Sequence, residues 1–214
     1  MNVNYDLMFE QYIKTVDSGN PPRLLLHACC APCSTYCLTR VLPYFDVTLY
    51  YANDNITDNA EWQKRLDELR KLVDIVNGGQ FETQPLRPLK LVTCTFNADK
   101  FYNAVRGQEN EREGGARCTT CFNLRLADTC AYAQANGFEL FGTTLSVSPY
   151  KNSKLLNEIG LSLQADDVKW LSADFKKRGG YLDSIRLSNK YGLYRQHYCG
   201  CEYSLVQSSN IRNK

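Results

Sequence analysis

The chain of 214 residues is poor in long apolar runs: none approaches the roughly 18 residues that cross a bilayer. The opening MNVNYDLMFEQ is polar and lacks the apolar stretch of a signal peptide. A cytoplasmic protein without a membrane span is therefore expected. Internal repeats and low-complexity linkers are missing too, which argues against a solenoid or a string of modules. Charge of one sign is scarce: the formal net charge is only +2, so the overall balance does not declare a nucleic-acid binder. Ten cysteines fall short of the roughly 8–10% density of a secreted disulfide scaffold. They are nonetheless many for an intracellular chain, and grouped thiols in a reducing compartment read as metal ligands or redox groups.

What is present alternates. Residues 23–28 (RLLLHA) form a short apolar run that breaks at CCAPC, with Pro32 suited to the first turn of a helix. DVTLYYAN (46–53) reads as a second strand. Helical spacing of Trp62, Leu66, Leu69, Leu72, Val73 and Val76 runs to a stop at Gly78-Gly79. FETQPL (81–86) is a weaker strand and 98–105 a helix. The stretch 121–134 is a longer helix, closed by Asn136-Gly137 and followed by the strand FELFGTTL. Such alternation predicts a single α/β domain over 1–214 with a parallel sheet flanked by helices, and a site at the carboxyl ends of the strands. After Ser148-Pro149 the pattern changes to a helix (154–164) and a basic, tyrosine-rich stretch, so 153–214 reads as a helical extension packed on the domain.

Three cysteine groups carry chemistry. HACCAPC places Cys29, Cys30 and Cys33 where a strand gives way to a helix, whose unpaired N–H groups and dipole stabilise thiolates. RCTTCFNLRL offers Cys118 and Cys121, two residues apart, a spacing that lets both ligate one metal centre. With Cys29-Cys30 they make four thiolates from two loops, suiting a structural zinc or a 4Fe-4S cluster. In YCGCEY, an extended chain would hold the Cα atoms of Cys199 and Cys201 roughly 7 Å apart, so a disulfide requires a bend, which Gly200 permits. Such a bond would be easily reduced, suiting redox work, although a C-x-C pair also approaches one metal. Cys37, Cys94 and Cys130 read as packing residues, because thiols behave as small hydrophobes. A structural zinc would use four thiolates and leave a further dithiol without a purpose, whereas an electron-transfer cluster beside a dithiol is a coherent set.

The segments LLLHACCAPCS (24–34), NDNI (53–56), ARCTTCFNLRL (116–126), GTTLSVSPYKN (142–152) and YRQHYCGCEYS (194–204) together resemble the QueH epoxyqueuosine reductases, which finish queuosine in tRNA without cobalamin. The resemblance implies a fold like the adenine nucleotide alpha-hydrolases (HUP-type). It implies that Cys29, Cys30, Cys118 and Cys121 hold a 4Fe-4S cluster, that a further iron lies near Cys33 or Cys201, and that Cys199 and Cys201 form a redox-active pair. It also lifts Lys151 and Asn152 above ordinary loop residues, while His27 reads as a packed neighbour of the thiol loop. Asp54 stands where the family usually has proline, which would have stiffened that loop.

The implied partners are the tRNA anticodon loop carrying epoxyqueuosine and an unidentified electron donor. For tRNA, the stretch from Lys169 to Arg195 sets Lys176, Lys177, Arg178, Arg186 and Lys190 among Tyr181, Tyr191 and Tyr194; basic groups neutralise phosphates and rings stack on splayed bases. The same stretch also reads as a solvated face with core tyrosines. Two rivals stand beside the reductase: a thiol-disulfide oxidoreductase using Cys30 and Cys33, and a non-enzymatic zinc-binding RNA module.

Overall fold

A computed structural model describes residues 3–206; residues 207–214 of the expected extension lie outside the described residues. Its centre is a five-stranded, wholly parallel sheet in the order β3-β2-β1-β4-β5. The strands are β1 (Arg23–His27), β2 (Asp46–Tyr51), β3 (Lys90–Thr93), β4 (Leu140–Thr143) and β5 (Lys169–Trp170). Leu24, Leu25 and Leu26 of β1 are all fully buried, as a strand covered by helices on both faces requires. The helices are α1 (Tyr5–Ile13), α2 (Ala31–Val41), α3 (Asn59–Asn77), α4 (Ala98–Ala104), α5 (Ala116–Ala135), α6 (Ser153–Leu163) and α7 (Gly180–Lys190). None of the described helices is long and apolar enough to cross a membrane.

The local signals act through identifiable contacts. Cys30 caps α2, its thiol accepting from Cys33 N at 3.4 Å, with Pro32 in the first turn. Asp58 caps α3 by accepting from Glu61 N at 2.9 Å, and Gly78 ends that helix. Register pairs His27 with Tyr50 on one side and Thr143 on the other, so the strands that flank β1 end level with it. β1 and β4 neighbour each other although far apart in sequence. The loop after β1 and the 3-10 turn after β4 (Thr144–Val147) therefore face the crevice where strand order reverses.

The structure departs from the sequence reading in four places. The weak strand expected at 81–86 is not one: the chain bends there, Pro85 and Pro88 cannot donate to a ladder, and the strand forms at Lys90–Thr93, in register with Thr48 through Tyr51. α5 starts at Ala116 rather than at Cys121, so both thiols of the C-x-x-C pair lie on the helix itself. The stretch after 153 also contributes β5 to the sheet edge, where Leu140 pairs with Lys169, while α7 packs on α2. α1 was not anticipated; its Phe9 meets Phe175 edge to face at 5.6 Å.

Candidate active site

Three thiols meet where β1 ends. The Sγ atoms of Cys29, Cys30 and Cys33 all lie within 4.8 Å of one another. Hydrogen bonds from Cys30 and Cys33 hold the Cys29 thiol well below its ordinary range, with Arg125 and Thr144 acting in the same direction against burial. Burial pushes Cys30 up to about 12, and donation to Cys29 raises Cys33 well above the usual value. One thiolate is thus shared by three sulfurs. A soft metal would find ligands already converged and would displace the remaining protons. Gln196 Nε2 also donates to Cys30 Sγ at 2.8 Å, tying the C-terminal loop to this group.

Cys118 and Cys121 stand one helical turn apart at the start of α5, so they share a face. Gly114 N donates to Cys118 Sγ at 3.2 Å, and burial pushes Cys121 up to about 12. The acidic-basic loop before them is folded onto the helix by Arg117, which donates to the carbonyls of Gln108, Glu109 and Glu111 at 3.2, 2.8 and 2.6 Å.

Cys199 and Cys201 remain thiols, and Gly200 between them has φ +127°, outside the range of ordinary side chains. Their loop is fastened by Arg65, only 2% exposed, which donates to Cys199 O at 3.0 Å and to Tyr198 O at 3.4 Å. Thr57 N adds a bond to Gly200 O at 3.3 Å. Lys151 Nζ lies 3.2 Å from Cys199 Sγ and 3.6 Å from a Glu113 carboxylate oxygen. Although burial opposes its charge, the Cys199 sulfur holds its pKa above the usual lysine value.

The residue that joins the three groups is Arg125. Its guanidinium is 2% exposed, donates from Nε to His27 Nε2 at 3.3 Å and bonds Asn53 Oδ1, while Nη1 has no hydrogen-bond partner among the described residues. Burial works against its charge, yet Cys121, Cys199 and Cys29 raise its pKa, one thiol from each group. His27 is packed rather than open. Burial and Arg125 depress its pKa to about 3, and because Nε2 accepts from Arg125, the neutral ring donates from Nδ1 to Thr143 Oγ1 at 2.9 Å.

Sequence reasoning missed Arg125, Arg65, Asn53 and Gln196. Only the spacing of Arg125, four residues after Cys121 on a helix, could have pointed to it. Cys37 is fully buried with its thiol on Cys33 O at 3.3 Å, and Cys130 donates to Leu163 O at 3.2 Å, both packing roles. Cys94 lies beside a separate cavity with Asp54. Residues 53–56 are buried, and Asp54 is tied to Lys100 at 3.5 Å, so charge holds the loop where proline would have stiffened it. Asn152 caps α6, accepting from Leu155 N.

The basic stretch is largely engaged within the protein. Arg178 pairs with Asp6 at 3.1 Å, Arg186 and Lys190 with Glu82 at 2.9 and 3.3 Å, and Lys176 donates to Lys151 O at 2.7 Å. Tyr191 OH accepts from Glu82 N, and Tyr194 OH meets Glu61. Such exposed pairs contribute little to stability and still leave positive charge on the surface.

Comparison with known proteins agrees over most of the chain. The family described as "Epoxyqueuosine reductase QueH" matches residues 24–207. The epoxyqueuosine reductase QueH of Staphylococcus aureus is 37% identical over 209 residues, covering 96% of this chain and 85% of that protein. That of Streptococcus pyogenes serotype M1 is 36% identical over 204 residues, 94% of this chain and 78% of its own. That of Thermotoga maritima is 33% identical over 189 residues, 86% and 91% respectively.

Proposed function

The chain belongs to the epoxyqueuosine reductase QueH family, and we propose that it reduces the epoxide of epoxyqueuosine in the anticodon loop of tRNA to the cyclopentene of queuosine. Two electrons and two protons are consumed and the epoxide oxygen leaves as water. The observation that supports this best is the grouping of the Cys29, Cys30 and Cys33 sulfurs within 4.8 Å of one another at the carboxyl end of β1, to which Gln196 of the C-terminal loop is hydrogen-bonded.

A 4Fe-4S cluster held by Cys29, Cys30, Cys118 and Cys121, with a further iron near Cys33 or Cys201, would supply single electrons and polarise the epoxide oxygen. The sulfurs of Cys29, Cys30 and Cys33 lie together, Cys29 with its pKa lowered, and such soft donors suit an iron-sulfur group; Cys118 and Cys121 would complete the set from α5. The protein's own groups do the rest. Arg125 offsets the negative charge of the clustered sulfurs, and Lys151, holding its proton at Nζ, donates to Cys199 Sγ and orients it. Cys199 and Cys201 act as the redox-active pair, replenished by an external electron donor, and the tRNA substrate places the work in the cytoplasm.

The oxidoreductase reading fits less well, because Cys30 and Cys33 are both raised whereas an attacking thiol needs a lowered pKa. Anaerobic purification with iron, sulfide and zinc analysis, followed by mass-spectrometric assay of epoxyqueuosine tRNA under a chemical reductant, tests the proposal. Brown protein with about four irons that converts the nucleoside is expected. Colourless, zinc-loaded protein or an unconverted nucleoside would overturn it.

A further inference from the structure

Beyond the thiols, a cavity of about 420 Å³ opens between the ends of β2 and β3 and the helices α4 and α5. Its volume lies within the range of small-ligand sites. Its walls are aromatic: Tyr50 and Tyr132 stack at 4.7 Å, and Phe96 closes one side. Asp54, Thr95, Asn97, Lys100 and Asp128 bring polar groups to the same space. Lys100 is ion-paired to Asp128 and lies 3.5 Å from Asp54, whose side chain is only 5% exposed against 27% for Asp128.

Helix α5 connects this cavity to the thiols. Cys121, Arg125, Asp128 and Tyr132 follow one another at intervals of three or four residues and so share one face. At about 1.5 Å rise per residue, Asp128 stands about 10 Å along the axis from Cys121. A substrate spanning the two would carry its reacting atoms at one end and a flat, hydrogen-bonding group at the other.

We infer that this cavity is the seat of the purine-type base of the substrate nucleoside, with Lys100 and Asp128 reading its Watson–Crick edge. The inference rests on the reductase reading above, since the base of epoxyqueuosine is a 7-deazaguanine. A guanine-type edge presents one acceptor, O6, beside two donors, N1–H and N2–H₂. An ammonium beside a carboxylate is its complement: Lys100 donates to O6 and Asp128 accepts from N1–H and N2–H₂. An adenine-type edge offers the reverse order and would set its amino group against Lys100. Asp54, more enclosed than Asp128, positions Lys100. Tyr132 and Phe96 offer rings for stacking, the mode by which splayed single-stranded bases are held. A carboxylate already paired to one lysine keeps lone pairs for further donors.

The test is equilibrium binding of anticodon stem-loop RNAs to the metal-loaded protein under anaerobic conditions, with guanosine, inosine or adenosine at the modified position. Inosine lacks the 2-amino group and forfeits one bond to a charged acceptor, so guanosine RNA is expected to bind about tenfold more tightly than inosine RNA. Adenosine RNA should bind more weakly still. Asp128→Asn should weaken both guanosine and inosine RNA and abolish the preference between them, with an unaltered melting temperature reporting that the variant is folded. Equal binding of the three RNAs by the unaltered protein, a comparison that needs no variant, would overturn the inference. Full discrimination by Asp128→Asn would do the same. Turnover of epoxyqueuosine tRNA is measured alongside. Reduction without base discrimination removes the pocket and leaves the reductase; discrimination without reduction removes the reductase and leaves a guanine-type pocket.

Discussion

Replacing Gly200 with alanine perturbs the C-terminal thiol pair without touching a sulfur. The residue has φ +127°, and an added Cβ would lie 2.8 Å from Ile56 Cγ1, 3.3 Å from Arg65 Nη1 and 3.4 Å from Asn55 Nδ2. The backbone strain costs about 1–3 kcal/mol and the overpacking about as much, roughly 2–6 kcal/mol together. Against this stand the bonds that dock the loop, from Arg65 to Cys199 O and Tyr198 O, from Thr57 N to Gly200 O and from Lys151 to Cys199 Sγ. At about 1 kcal/mol net each they total about 4 kcal/mol. Cost and docking energy are comparable, so the docked population should fall from nearly complete to about half or less. Because Gly200 borders Ile56 of the main core and Arg65 of α3, some fall in melting temperature is expected as well, and turnover is read on the folded, coloured protein. Gly200→Ala should therefore retain iron, sulfide and colour but lose at least about twofold in single-turnover reduction of epoxyqueuosine tRNA, because Cys199 is held against Lys151 in only part of the population. Unchanged turnover in a folded, coloured variant would refute the redox role of this pair. Loss of colour together with activity would instead move Cys199 and Cys201 into the ligand set.

Cys33→Ser should lower bound iron by one while sparing the sulfide content, given that its sulfur sits within 4.8 Å of those of Cys29 and Cys30; unaltered iron would remove it from the metal site. Arg125→Met leaves Asn53 Oδ1 and His27 Nε2 without their donor in a buried setting, at about 1–3 kcal/mol each, so urea unfolding should show a loss of roughly 2–6 kcal/mol and reconstitution a poor cluster yield. A stable, fully reconstituted Arg125→Met would contradict the bridging role. Gly160→Ala would set a methyl group 2.0 Å from the Trp170 ring, and a loss of about 2–3 kcal/mol in overall stability is expected with the thiol site intact in whatever protein folds; a wild-type urea midpoint would count against that packing.

The parallel α/β architecture was legible because buried strands and amphipathic helices leave separate periodicities, as in RLLLHA and the Trp62–Val76 stripe. β5 was not, since two residues carry no period, and Lys169–Trp170 forms a strand only because β4 offers an edge. The start of α5 was misplaced because a glycine without a side-chain cap, Gly115, precedes it and leaves no polar start signal.

The amino-acid sequence by itself determined the three thiol groups, their order and the family to which they belong, because residue identity and spacing along the chain are local and survive without coordinates. Which groups meet was decided only by the tertiary structure. Crossing from β1 to β4 brings Thr144 beside Cys29, α5 delivers Cys121 and Arg125 from nearly a hundred residues away, and Arg65 fastens Cys199 from another helix. Arg125 and Lys151 stay charged although buried because sulfurs from distant segments and, for Lys151, the Glu113 carboxylate surround them, and no spacing along a chain encodes that.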